Sequence, residues 1–231
     1  FFLESRTPYG QAPHRSASHI IASFKGIVAR KKFMKFEAVF MTYGFAFMIC
    51  VPAVPIYLLR VLKLSYSSMS LAQGVVAQSV ILALTPFAGR LFDRINPWHI
   101  SAFSNLALIF YPLFFLLSFF TGSSAPAFIG LMFYSLGLAG TNILWNLGSA
   151  AFAHGEDDAF LLQSFHISLT GLRGIAGPFL GLFILSVFGL SWNFAISALL
   201  FAIASLMAID ESGKAKKSVG LEPQGEINGK V

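Results

Sequence analysis

Six apolar runs, each near the roughly 20 residues that carry a helix across a bilayer, leave this chain few alternatives to a membrane-spanning helical bundle. They fall at about 37–59, 68–92, 98–120, 125–152, 160–187 and 191–209. A membrane barrel would need segments of about ten residues with alternating hydrophobicity, and the runs do not alternate. Gly122-Ser123-Ser124-Ala125-Pro126 and Gly189-Leu190-Ser191 supply the short turns expected between antiparallel neighbours. Composition agrees: 56% of residues are apolar and 11% charged, against about 25% charged in a globular domain. The expectation is an all-α membrane protein of six transmembrane helices over residues 37–209. A basic linker over 1–36 precedes it, with Ser18 to Lys35 spaced for a helix on the membrane surface, and a disordered tail over 210–231 follows. The chain opens without an initiator Met, so a processed or truncated product is expected.

Charge places the ends. Lys and Arg exceed Asp and Glu by six, but the excess is clustered beside apolar runs, which excludes a nucleic-acid binder and points to cytoplasmic anchoring. With six spans both termini share a side. Seven basic residues lie before the first run, two (Arg90 and Arg94) in the second turn and four in the tail, while only Arg60 and Lys63 fall outside. Both ends are therefore expected in the cytoplasm of a multi-pass protein of the plasma membrane, or of the inner membrane in a bacterium. Cys50 is a lone cysteine, so no disulfide or thiolate metal site forms within one chain. No zinc spacing, phosphate loop, nucleophile elbow or paired carboxylate appears, which argues against an enzyme and against a resident cofactor.

Intramembrane polar groups concentrate in spans one, two, four and five, whereas spans three and six are largely Phe, Leu, Ile, Ala and Ser. This polar, polar, greasy order occurs twice, a three-plus-three pattern that predicts greasy helices outside and the others lining a cavity. Arg173, in the fifth run, is the most informative residue. Burying it costs about 2.5–3.5 kcal/mol even on permissive scales, so it must meet water, an anion, a carboxylate or backbone carbonyls. His166, Thr170, Arg173 and Gly177 share one helix face, a stripe suited to an anionic or carboxylate-bearing ligand. His166 either carries a proton or is a hydrogen-bonded structural residue. Asn142 and Asn146 either tie helices together or line the cavity, and Trp145 either stacks on a ligand or packs. Tyr43 and Gln78 complete the expected cavity set. Glu37 reads as an interfacial partner of Lys32 and Lys35, and becomes a coupling carboxylate only if the first span starts earlier. Gly171, Gly174, Gly177 and Gly181, with Pro178, predict close helix approach and a bend.

Gly89-Arg90-Leu91-Phe92-Asp93-Arg94 resembles the first half of the signature loop of the major facilitator superfamily, Gly-x-Leu-x-Asp-Arg-x-Gly-Arg-Arg. Asn96-Pro97-Trp98 replaces its second half. The family carries a degraded copy of this loop between its eighth and ninth helices, so the chain resembles the C-terminal six-helix half. The resemblance implies secondary transport of a small solute by alternating access, with Gly89, Asp93 and Arg94 as cytoplasmic gate residues and Gly89 packing closely. It implies as partners the lipid bilayer and an N-terminal six-helix half or a second copy. The alternative expectation is a membrane scaffold or assembly protein that moves no solute.

Overall fold

The computed structural model describes residues 24–220, and their regular structure is helical throughout, with no strand among them. Five helices are long and apolar enough to cross a membrane: α1 (Lys31–Val61), α2 (Tyr66–Phe92), α3 (Pro97–Thr121), α4 (Ser124–Leu147) and α5, whose helical run extends over Glu156–Gly220. Their ends carry local signals. The Ser65 side chain accepts from the Ser68 amide to start α2, and Asn96 accepts from the Trp98 amide ahead of Pro97 to start α3. Gly122 closes α3 at φ 67°, a left-handed cap that glycine reaches without strain. Ser123 then caps α4.

α5 is two helical legs that meet at Gly189, where φ 85° and ψ −178° lie in a region almost restricted to glycine. Contacts show that the chain reverses there. Asp158, early in the first leg, meets Arg30 at 2.7 Å, and Glu211, late in the second, meets Lys35 at 2.7 Å. Phe194, just past the break, packs on Tyr57 at the far end of α1 and on Phe115. α1 has 31 residues, about 46 Å at 1.5 Å each, so each leg runs the length of the bundle.

Small residues set the closest helix approaches. A Cβ at Gly137 of α4 would stand 2.8 Å from the Ser104 carbonyl oxygen of α3, and one at Gly140 would stand 2.0 Å from Ser104 Oγ. α3 therefore presents a buried Ser101, Ser104, Asn105, Leu108 stripe to its neighbours. It packs against both α4 and α5. That departs from the expectation that greasy span three lies outside: serine reads as neutral by hydropathy, yet its small size makes the tightest seam. α2, expected to be polar and inward, is the least buried span, and its packing is chiefly on α4.

Boundaries also shift. α1 begins at Lys31, one and a half turns before residue 37, and a helical turn over 24–28 tucks Ile27 into the core and Phe24 against Phe165. The basic stretch expected as a linker or surface helix thus belongs in part to the bundle. Helix continues past 209 to Gly220, into the region expected as a disordered tail, with Ser212 hydrogen-bonded to His99 at 3.0 Å. The rest of the expected linker and tail lies outside the described residues.

Gly137→Ala is expected to destabilise the bundle by about 1–3 kcal/mol, since the opposing atom is backbone and cannot rotate away. A thermal unfolding scan of the purified protein in detergent reads this directly; an unchanged midpoint would disprove the close α3–α4 seam.

Candidate functional site

α1 and the first leg of α5 run parallel, and one residue offset recurs along their seam. His166 lies opposite Glu37, Arg173 opposite Gly44, and Gly177 opposite Met48. The steps of seven and four residues are about two turns and one turn of helix. Gly177 and Gly181 let the backbones close: a Cβ there would stand 2.4 Å from Met48 Cβ and 2.6 Å from the Ile49 carbonyl oxygen. Gly171 and Gly174, expected to serve the same end, face open space on the exposed side of the leg.

Three ionisable side chains fill this seam. Glu37 is 1% exposed and His166 is fully buried, with Glu37 Oε1 and His166 Nδ1 2.8 Å apart. Phe36 and Phe40 wall the imidazole, Phe40 edge-to-face at 4.3 Å between ring centres. Two turns further, Arg173 (3% exposed) donates from Nη1 to the Phe40 carbonyl at 2.9 Å. Its guanidinium carbon stands 5.2 Å from the Phe40 ring centre and 5.7 Å from that of Tyr43, within cation–π range. Gly44 creates the space: a Cβ there would stand 1.7 Å from Arg173 Nη1. Glu37 Oε2, His166 Nε2 and Arg173 Nε are buried without a hydrogen-bond partner. Satisfied buried polar groups are the rule, so three orphans on one seam mark unfinished chemistry.

The eight residues expected to share one cavity therefore occupy separate places. Arg173, His166 and Thr170 do share a face, but it is packed on α1, with Tyr43 opposite Arg173, inside the bundle instead of opening to water. Thr170 spends its hydroxyl on the Ile167 carbonyl in its own helix. Asn146 likewise donates to the Asn142 carbonyl at 2.7 Å, and the Trp145 side chain is exposed. Gln78, exposed on α2, borders a different cleft with Tyr134. Periodicity identified the polar face correctly; it could not say that α1 covers it.

Glu37 is the functional candidate that sequence reasoning set aside. Its position at the boundary of an apolar run, beside Lys32 and Lys35, resembles an interfacial charge. The earlier start of α1 carries it inside, and Lys35 turns instead to Glu211. A signal was present: an i, i+3 and i, i+7 alignment of Glu37 with Phe40 and Gly44 that matches His166 and Arg173 seven apart.

At the gate motif, Gly89 meets nothing where a Cβ would project, so the close packing implied by the resemblance is absent within this bundle. Asp93 and Arg94 are exposed and form no ion pair among the described residues. Asp158 takes Arg30, whose guanidinium this hydrogen bond holds above its ordinary pKa, and accepts from the His154 amide at 2.9 Å. No protein family, curated protein or solved structure matches this chain.

Removing one member of the Glu37–His166 pair strands a buried polar partner, so His166→Leu alone is expected to cost about 3–5 kcal/mol. Adding Glu37→Leu should recover most of that loss. A double-mutant cycle on unfolding in detergent checks it; additive losses would show that the two do not interact.

Proposed function

We propose that this chain is one six-helix half of a secondary transporter of the major facilitator type, moving a small solute by alternating access. The two legs of α5 count as separate crossings, giving six, with the Arg30 and Lys35 end in the cytoplasm and an N-terminal half or second copy completing the pathway. The observation that carries this reading is the seam of buried, partly unsatisfied Glu37, His166 and Arg173. Ionisable groups inside a membrane bundle are expensive and belong to ion or substrate pathways far more often than to inert packing.

Within that reading the Glu37–His166 pair is the proton-coupling element. A carboxylate and an imidazole 2.8 Å apart can share a proton, and each keeps one free polar atom able to pass it on. Arg173 stands two turns along the same seam, bound to the Phe40 carbonyl. Its guanidinium is covered by that carbonyl and two rings, so it serves α1–α5 registry before any solute. That same covering favours the rival reading, a scaffold or assembly protein in which these residues only hold two helices together.

The native protein reconstituted in liposomes separates the two readings. Wild type should show counterflow of at least one solute from a panel of labelled sugars, amino acids, nucleobases and carboxylates. Glu37→Gln should keep counterflow within about threefold while losing at least tenfold of proton-driven uptake. Flux of none of them, with the variant merely less stable, would establish the scaffold.

A further inference from the structure

A cleft of about 240 Å³ opens where α1, α2 and α4 meet, away from the ionisable seam. Phe47, Tyr111 and Tyr134 wall it, Gln73 and Gln78 enter from α2, and none of its lining residues is charged. Phe47, Gln78, Tyr111 and Tyr134 all lie in the middle third of their helices. The cleft is thus set at the depth where a bilayer offers no hydrogen-bonding solvent.

Its polar groups are not all used by the fold. Gln78 and Tyr134 both border the cleft from facing helices, α2 and α4. Gln73 Nε2 is buried and has no partner. A lipid chain in the cleft would leave that amide unsatisfied, which is unfavourable for a buried donor. The backbone around it departs from regular helix: Gln73 sits in a π-helical stretch, Leu71–Val76, and α1 turns π-helical at Tyr57 just after Pro52 and Pro55. Single π turns inside helices recur at functional sites because they re-aim side chains.

The ring geometry selects a shape. Phe47 and Tyr134 are stacked within 15° of parallel at 5.9 Å, and Tyr111 meets Tyr134 at 5.1 Å. Flat aromatic walls favour a flat guest, and a carboxamide offers both a donor and an acceptor to its edge. The volume falls just under the 300–1,000 Å³ of ordinary ligand pockets, room for a single ring and little more.

We propose that this cleft binds an uncharged, planar heterocycle bearing amide-like donors and acceptors, held against the aromatic wall of Phe47, Tyr111 and Tyr134 and read by Gln73 and Gln78. The assignment rests on the transporter reading for its purpose, since the guest would be the transported solute. It places recognition apart from Arg173, and so turns the expected preference for anions into a preference against them: a carboxylate would enter a site with no cation.

Equilibrium binding to the purified native protein tests the cleft without requiring flux. Labelled nicotinamide, uracil and adenine are compared with nicotinate and orotate, which place a carboxylate on the same kinds of ring. Saturable binding of at least one uncharged probe is expected, with at least tenfold preference over its carboxylate counterpart where one is present. Gln78→Leu and Tyr134→Leu should each weaken it at least tenfold, Tyr134→Phe less, and Leu199→Ala, exposed on the second leg of α5, within twofold, with every variant's unfolding midpoint recorded. No binding by any uncharged probe, tighter binding of the carboxylates, or unchanged affinity in folded Gln78→Leu would overturn the assignment. Binding without counterflow in liposomes would leave the cleft standing and remove transport; counterflow of other solutes without binding here would do the reverse.

Discussion

Burying Arg173 is the constraint on which the α1–α5 seam depends. A guanidinium cannot shed its charge, so it must find compensation wherever the helix places it. Here it takes a backbone carbonyl and two aromatic faces from α1, in a notch that exists only because residue 44 has no side chain. Those contacts fix the register of two parallel helices. Once Arg173 is opposite Gly44, His166 falls opposite Glu37 two turns earlier and Gly177 opposite Met48 one turn later. A slip of one residue would strand the guanidinium, separate the Glu–His pair and drive Cβ atoms into backbone together.

On the proposed reading, charge and recognition are kept apart. The ionisable groups lie in a buried, tightly packed seam between α1 and α5. The uncharged carboxamides and rings lie in an open cleft bounded by the least packed helix, α2. α1 is common to both: Tyr43 and Gly44 meet Arg173, and Phe47, one turn further on, walls the cleft. A change at Glu37 therefore has a short physical path, about three turns of one helix, to the cleft wall.

Hydropathy misassigned the roles of α2 and α3 for a reason that can be named. It weighs a side chain by its affinity for lipid, and serine and glycine are nearly neutral on that scale. In a membrane, where lipid and leucine are alike, helices associate through small residues and close backbone contact. Ser104 facing Gly137 and Gly140 is therefore a stronger packing signal than any number of leucines. Glu37 was missed by the related error of equating the start of an apolar run with the start of a helix. Basic residues at Lys31, Lys32 and Lys35 continue α1 outward, and the carboxylate is carried inside with it.

The sequence by itself determined that this chain is helical, with runs long and apolar enough to cross a membrane, roughly where those runs lie, and that Arg173 shares a polar face with His166, Thr170 and Gly177. Run length and helical periodicity are local properties, and they survive folding. Only the tertiary structure decided what that face meets and that Gln73, Gln78, Tyr111 and Tyr134 converge from three helices. Those outcomes depend on which helix lies beside which and at what register. Register is set by notches such as Gly44 and Gly181, whose meaning depends on an atom far away in the chain.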